Sequence, residues 1–286
     1  MTDTIETTGQ GGFRGWPADG LAFLAELEQD NTREFWMAHM HRYRDGLLEP
    51  TRALAAALTA EFGAPRVFRP HVDRRFRPAA EPYRTDTGAT VAGPGGTPYV
   101  VLLSTRGLAV QVGHPLFDAG QLHRYRESVD GAPGEELVAV LAALHGEGLA
   151  PADVAALRSR PRGCPRDHPR LPLMRLRGLH VDRGWPAGDW LATAEAADLV
   201  RTAWRAARPL ADWLDTHVGR RTEGSRGSRP AAEPVAEQTV AGETAAGETA
   251  ATEPLAAPEG AAAQQACADL APMPPADGGQ AASSDT

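Results

Sequence analysis

The sequence predicts a single α+β domain in which a short antiparallel or mixed sheet with a central hairpin is packed by N-terminal and C-terminal helices. Three observations predict this class. Apolar residues recur at helical spacing from Asp19 to Phe62, short extended runs fill residues 66–112, and helical spacing returns from Leu122 to Leu214. Blocks of helices and strands in this order are typical of α+β domains, whereas a parallel sheet would need strands and helices that alternate.

The sequence pattern of the N-terminal part predicts three helices. Asp19 is the expected N-cap of the first helix. Asn31 and Glu34 form a variant capping box for the second, and Pro50 begins a third that Gly63-Ala64-Pro65 ends. The three apolar stripes are Leu21, Phe23, Leu24 and Leu27, then Phe35, Trp36, His39, Met40, Tyr43, Leu47 and Leu48, then Leu54, Ala57, Leu58 and Phe62.

The middle of the chain predicts strands. Residues 66–71 form an expected strand, and residues 88–98 form an expected Gly/Pro-rich loop. The extended runs 99–104 and 108–112 flank Thr105-Arg106-Gly107, a three-residue turn with Gly where a positive φ is expected. This is the clearest hairpin in the chain.

The C-terminal part predicts further helices and one more strand. Helices are expected over residues 122–129 and 137–144, with a short one around Val154 and Leu157. A strand is expected over residues 179–181. A long helix begins near Thr193, and Pro209 should kink or split it.

Composition sets the expected domain limits at residues 13–219, between a flexible start (1–12) and a disordered acidic tail (220–286). All six Trp and seven Phe residues lie between Phe13 and Trp213, so the tail has too little apolar surface to fold. Residues 1–221 hold 27 Arg and 27 acidic residues, whereas residues 222–286 hold 2 Arg and 10 acidic residues. The formal charge of −8 therefore belongs to the tail, and the domain is neutral.

Several functional classes are disfavoured. The two Cys residues form neither a disulfide framework nor a CxxC pair, and the nine His residues include no HExxH motif. There is no GxGxxG, Walker or G-x-S-x-G loop, no secretory signal and no apolar run long enough to span a membrane. We therefore expect a cytoplasmic protein without a metal, a cofactor or a membrane contact; no motif indicates an oligomeric state.

Arginine is concentrated in two segments, although Lys is absent and a GC-rich coding sequence accounts for the overall preference. The first arginine segment (residues 66–84) has a local charge of about +4 and the second (residues 158–177) about +6. Such density in a neutral domain predicts a pocket for a phosphorylated or carboxylated small molecule where the two segments meet. The candidate ligand-binding residues are Arg69, Arg75, Tyr83, Arg84, Arg162, His168, Arg175 and Arg177.

Other interpretations remain open. Phe68, Phe76 and Tyr83 are equally consistent with core or rim positions whose neighbouring Arg residues form salt bridges. The same Arg/aromatic strip is compatible with nucleic-acid binding, or with a protein-interaction surface for which the acidic tail competes. His168 is either a structural hydrogen-bonding residue or an acid/base group, which would act with Asp73 or Glu34 in an enzyme.

The spacing of several motifs resembles domain-of-unknown-function family 2461, conserved hypothetical proteins of bacteria. The motifs are Phe13-Arg-Gly-Trp-Pro17, Asp30-Asn-Thr-Arg-Glu-Phe-Trp36, Arg75-Phe76, Pro82-Tyr-Arg-Thr85, Gln121-Leu-His-Arg-Tyr-Arg126, Pro161-Arg-Gly163, Asp167-His-Pro-Arg170, Arg208-Pro-Leu-Ala-Asp-Trp-Leu214 and His217-Val-Gly219. The resemblance implies one fold over residues 13–219 and no established activity. The family usually carries Lys at Arg84 and Arg177 and charged residues at Val72, Ala79 and Ala80.

Overall fold

A computed structural model describes residues 12–72, 75, 79–152 and 156–221 and confirms the α+β class. Its sheet has six strands in the order β1-β2-β3-β4-β6-β5, and every neighbouring pair is antiparallel. The strands are β1 (Pro65–Val67), β2 (Asp86–Ala92), β3 (Pro98–Ser104), β4 (Gly107–His114), β5 (Ala150–Pro151) and β6 (Leu179–Pro186). The helices are α1 (Ala18–Gln29), α2 (Arg33–Tyr43), α3 (Glu49–Phe62), α4 (Ala119–Asp130), α5 (Pro133–Gly146), α6 (Leu171–Met174), α7 (Glu195–Ala206) and α8 (Arg208–His217).

One face of the sheet carries the core. Tyr99 of β3 points to this helix-covered face, where its ring centroid lies 5.6 Å from both Phe62 of α3 and Trp204 of α7. The same face continues to His114, which contacts Phe117 and, through it, Tyr125 of α4. Because side chains alternate along a strand, the residues between these positions point to the opposite side, which we call the open face.

The open face is less completely buried. Its central row runs across four strands through Thr90, Val100, Gln111 and Asp182, and all four are half-buried. On the helix-covered face, by contrast, the aliphatic residues of β3 and β4 are buried. The sheet is therefore packed on one side and partly accessible on the other, as is common for antiparallel sheets.

The N-terminal helices follow the predicted apolar stripes, but two predicted caps are wrong. Pro17 occupies the N-cap position of α1, and Asp19 instead forms an ion pair with Arg42 (2.8 Å). The N-cap of α2 is Thr32, whose Oγ1 accepts a hydrogen bond from the Phe35 backbone N–H; Asn31 lies one residue too early to do so.

A π-helical turn (residues 44–48) joins α2 to α3, where Pro50 occupies the first turn of α3 as expected. Gly46 in this turn packs against Gly20 of α1, and a Cβ at position 20 would lie only 2.3 Å from the Gly46 carbonyl oxygen. The two glycines therefore allow the backbones of α1 and the π turn to cross at close range. Single π turns of this kind are usually found within otherwise α-helical segments.

The strand predictions need three corrections. Residues 88–92, predicted as a loop, belong to β2, which pairs with β3 along its whole length. Gly88 and Ala89 weaken the strand signal, and it is pairing with the apolar β3 that fixes this segment. The first strand ends at Val67 instead of residue 71, and the hairpin turn has two residues, because Ser104 and Gly107 already pair; Gly107 has the expected positive φ (127°).

The C-terminal predictions are largely confirmed. Pro209 splits the long helix into α7 and α8, and the 179–181 strand extends to Pro186. An unpredicted capping box between Asp118 and Gln121 begins α4. The short helix predicted around Val154 and Leu157 is wrong at Leu157, because Ala156 forms an antiparallel bridge with Leu176 and the Leu157 N–H donates to the Arg175 carbonyl (2.8 Å); Val154 lies outside the described residues. The predicted flexible start and tail also lie outside the described residues, except for Gly12, Arg220 and Arg221.

Candidate functional site

The two arginine segments lie at opposite edges of the sheet. The first adjoins β1 and β2 at one edge, and the second lies between β5 and β6 at the other. Since β3 and β4 separate β2 from β6, these two strands are roughly 14 Å apart. The described hydrogen bonds of Arg84, Arg170 and Arg175 all end on residues on their own side of the sheet.

In the second arginine segment, guanidinium groups donate hydrogen bonds to backbone carbonyl oxygens. Arg170 donates to the carbonyl oxygens of Val129, Asp130 and Gly131 at the end of α4 (2.7, 2.9 and 3.2 Å). Arg175 donates in the same way to Leu157 (2.6 Å) and to the residue after it. These are charge-assisted bonds to backbone carbonyls in turns and loops, of which that of Gly131 also accepts from the Gly134 N–H (3.1 Å). Both side chains therefore have a structural role.

His168 is held on both of its ring nitrogens. Its Nδ1 accepts a hydrogen bond from the Arg170 backbone N–H, and its Nε2 lies 3.0 Å from Asp130 Oδ1. Because Nδ1 is an acceptor, the proton is on Nε2 and is donated to the carboxylate. Arg162 and Arg177, the remaining candidates in this segment, are exposed.

In the first arginine segment, Arg84 lies in a half-buried ion pair. Its Nε and Nη2 contact Asp86 Oδ1 at 2.6 and 2.5 Å, and each side chain is 16% exposed. The guanidinium carbon lies 5.0 Å from the Phe68 ring centroid. Burial raises the pKa of Asp86, and the adjacent Arg84 partly offsets this effect.

An aromatic stack lies beside this ion pair. The Trp36 and Tyr83 rings are parallel, with an interplanar angle of 6° and centroids 4.3 Å apart, and Tyr43 lies 4.9 Å from Trp36. The His71 ring lies 5.1 Å from Tyr83. We call Trp36, Tyr43, His71, Tyr83 and Arg84 the aromatic–arginine site.

Asn31 positions Tyr83 within this site. Its side-chain Oδ1 accepts from the Tyr83 backbone N–H (3.0 Å), and its Nδ2 donates to the Tyr83 carbonyl (2.9 Å) and to Glu81 (3.0 Å). The carboxamide thus pairs with the backbone as a neighbouring strand would. Asn31 therefore binds the Tyr83 backbone and does not cap α2.

Two hydroxyl groups of the site have no hydrogen-bond partner within the described part of the chain. Tyr43 and Tyr83 are 7% and 6% exposed, yet neither phenol donates or accepts a hydrogen bond there. Burial raises the pKa of Tyr43 to about 12, while the positive charges of Arg52 and Arg84 act in the opposite direction. Because neither hydroxyl oxygen is fully buried, both are available to a partner that approaches from solvent.

The other predicted residues lie around or away from this site. Arg69 and Arg75 are exposed on the first arginine segment, and Glu34 is exposed on α2. Asp73 lies outside the described residues. Trp36, Tyr43, Asn31 and Asp86 were not selected as site residues from the sequence; Asn31 and Trp36 fall within a motif of the family resemblance, which was the available signal.

Two further features are absent from the described ranges. These ranges contain no group of three or more His, Cys, Asp or Glu side chains placed to hold a metal ion. None of their helices combines the length and apolar character needed to cross a membrane.

Comparison with known proteins gives one result. A family model described as "Conserved hypothetical protein (DUF2461)" matches residues 19–213, a range that includes Asn31, Trp36, Tyr43, Tyr83 and Arg84. Neither the curated proteins nor the solved structures contain a match. Since the matched range covers well over half of the chain, the chain belongs to the conserved hypothetical proteins of domain-of-unknown-function family 2461.

Proposed function

We propose that the aromatic–arginine site binds a small molecule through a carboxylate or phosphate group. The observation that carries the proposal is a pair of hydroxyls, those of the largely buried Tyr43 and Tyr83, which have no hydrogen-bond partner among the described residues and lie next to the half-buried Arg84. A ligand oxygen could accept a hydrogen bond from each of these hydroxyls, and a hydrogen bond to a charged group is worth roughly 1.5–3 kcal/mol.

Arg84 is prepared for this role by its surroundings. Asp86 uses the Nε and Nη2 edge, while Nη1 makes no hydrogen bond within the described residues. Phe68 supports the guanidinium plane from one side. A fixed guanidinium loses little conformational entropy when it binds an anion, which favours Arg84 over a freely moving surface side chain.

The exposed Arg69 completes the proposal as an outer residue of the site. Its charge would attract an anion before it reaches Arg84, an effect that weakens as salt screens it. Because Arg84 already occupies the neighbourhood of the Phe68 ring, this ring is poorly placed to stack on a base, which favours a small anion over a nucleic-acid strand.

Calorimetric titration and thermal shift with phosphate, sulfate, benzoate and a nucleoside monophosphate test the proposal. Tyr43→Phe and Tyr83→Phe each remove only the hydroxyl oxygen, and Tyr99→Phe is the matched control because this buried tyrosine lies on the helix-covered face. We expect an anion to stabilise the parent protein and Tyr99→Phe. Tyr43→Phe and Tyr83→Phe should each bind the anion roughly tenfold more weakly than the parent does. Equal responses in all four proteins would reject the proposal, and strongly salt-dependent binding of single-stranded DNA or RNA in place of small anions would favour the nucleic-acid alternative.

A further inference from the structure

Two methionine side chains are exposed on α2. Met37 and Met40 are 57% and 49% exposed, and they are the only large apolar side chains with such exposure among the described residues. A single exposed apolar side chain is common in soluble proteins and needs no explanation. Here, however, the two methionines lie three residues apart on one helix, so they are neighbours on the same surface.

His41 forms a triangle with these two methionines. It lies four residues after Met37 and directly after Met40, and it is also exposed. On an α-helix, side chains that are three or four residues apart have Cβ atoms about 5–6 Å apart. All three residues belong to the regular part of α2. The fold therefore groups two thioether sulfurs and one imidazole on a single face of this helix.

The other histidine of α2 is directed elsewhere. His39 Nδ1 lies 2.9 Å from the Phe35 carbonyl oxygen, and the His39 ring centroid lies 4.3 Å from that of the Phe35 ring. Because a carbonyl oxygen only accepts, His39 carries its proton on Nδ1. His41, by contrast, makes no hydrogen bond or ion pair within the described ranges, so both of its ring nitrogens are accessible to a ligand.

The charged neighbours of this face balance one another. In the turn that follows, the Arg44 guanidinium is paired with the Asp45 carboxylate (2.7 Å). The turn that precedes it carries Arg33 and Glu34, which have opposite charges. A small cation that approaches the two methionines therefore meets no excess of positive charge from the residues of α2 on either side.

We infer that Met37, Met40 and His41 bind a soft monovalent metal ion, Cu⁺, with Ag⁺ as its redox-inert analogue. Thioether sulfur is a soft ligand that favours Cu⁺, imidazole suits copper as well, and hard cations such as Mg²⁺ prefer oxygen ligands. Methionine has three rotatable bonds, so both sulfurs can turn towards one ion above the helix surface. This ligand set differs from the HExxH and CxxC zinc motifs that the sequence lacks, because it is based on thioethers.

Titration of the full-length protein with Ag⁺ in chloride-free buffer, and with Cu⁺ under anaerobic conditions, tests the inference. The chain carries Cys267→Ser, because the Cys267 thiol would compete for either ion, whereas Cys164 is buried. Methyl-¹³C labelling of methionine allows each sulfur to be followed separately. We expect saturable shifts of the Met37 and Met40 methyl signals, no shift of the buried Met174 signal, and no methionine shift with Zn²⁺ or Mg²⁺.

Substitutions on α2 distinguish the three ligands from their neighbours. Met37→Leu and Met40→Leu keep an apolar side chain of similar size but remove a sulfur, and His41→Gln removes the imidazole. Each should weaken Cu⁺ binding about tenfold or more, measured by competition with a chromophoric Cu⁺ chelator. The matched control His39→Gln should leave the affinity unchanged, because His39 is directed towards Phe35.

Several results would overturn the inference: no saturable shift of the Met37 and Met40 signals, equal shifts with Zn²⁺, or unchanged affinity in the two leucine variants. Binding that is lost in His41→Gln but retained in both leucine variants would mean that an isolated surface histidine binds the ion, and it would also overturn the inference. Tyr83→Phe should not alter Cu⁺ binding, so this face is tested separately from the aromatic–arginine site.

Discussion

The two arginine segments have similar compositions but use their guanidinium groups in different ways. In the second segment, Arg170 and Arg175 bond to backbone carbonyls in a stretch that has little regular secondary structure. In the first, Arg84 pairs with a half-buried carboxylate beside two unpartnered tyrosine hydroxyls. Arginine density alone therefore does not identify an anion site, because irregular backbone requires donors for its own carbonyls.

The largest expected effect tests the structural role of the second segment. Arg170 is only 12% exposed, and Arg170→Met removes its donors to three carbonyl oxygens, of which that of Gly131 keeps a bond from the Gly134 N–H. We expect the free energy of unfolding, measured by urea denaturation, to fall by about 2–3 kcal/mol. Arg162→Met, at an exposed position, should change it by less than about 0.5 kcal/mol. Similar values for the two variants would remove the basis for assigning Arg170 a structural role.

A somewhat smaller effect tests the ion pair in the first segment. Arg84→Met leaves Asp86 half-buried without its partner and should reduce the free energy of unfolding by about 2 kcal/mol at neutral pH. Loss of Arg84 raises the pKa of Asp86 further, so the destabilisation is present above this pKa and disappears as the pH falls through it and Asp86 is protonated. The free energy of unfolding, measured against pH for Arg84→Met and for the double variant Arg84→Met/Asp86→Asn, tests this pH dependence. The double variant should recover most of the lost stability at neutral pH. No recovery would contradict the assignment of Arg84 and Asp86 as a stabilising ion pair.

Asp182 provides the opposite case, a half-buried carboxylate without a cationic partner among the described residues. Its pKa is raised from 3.8 to about 6, so ionisation destabilises the fold at neutral pH, and this cost disappears as the pH falls from above 6 towards 3.8. Asp182→Asn should therefore increase the free energy of unfolding by about 1–2 kcal/mol at pH 8, with allowance for partial exposure, and by almost nothing near pH 4. Denaturation of both proteins at the two pH values measures the difference, and a destabilised Asp182→Asn at pH 8 would mean that a cationic group stabilises the carboxylate.

The smallest expected effects compare tyrosine hydroxyls near the two segments. Tyr125 donates to the Leu173 carbonyl of the second segment (3.1 Å), whereas Tyr83 in the first has no described partner. Tyr125→Phe should cost about 1 kcal/mol and Tyr83→Phe about zero in the absence of ligand. Thermal denaturation of the two variants is sufficient to rank them, and the reverse order would argue against an unoccupied hydroxyl at Tyr83.

Local sequence patterns predicted much of the fold. The β3–β4 hairpin, the apolar stripes of α1 to α3 and the division at Pro209 follow from periodicity, turn chemistry and the missing N–H of proline. Strand β2 was mistaken for part of a loop because its Gly and Ala residues carry little strand propensity, and pairing with β3 determines its conformation.

The candidate site was less predictable because it depends on contacts between distant parts of the chain. Tyr83 and Arg84 were selected from the sequence, but Asn31, about fifty residues earlier, was interpreted as a helix cap although it bonds to the Tyr83 backbone. The separation of the two arginine segments follows from the strand order, which places β3 and β4 between them. Local charge density contains no information about that order.

Arginine side-chain NMR tests the central contrast most directly, because the Nε–H signals of both segments can be followed in one titration with phosphate or benzoate. The account predicts that the Arg84 signal shifts with saturation, that Tyr83→Phe weakens this response, and that the Arg170 and Arg175 signals remain unchanged because carbonyl oxygens already occupy their donors. A saturable shift of Arg170, Arg175, Arg162 or Arg177 with no change at Arg84 would place the anion site in the second segment and contradict the account.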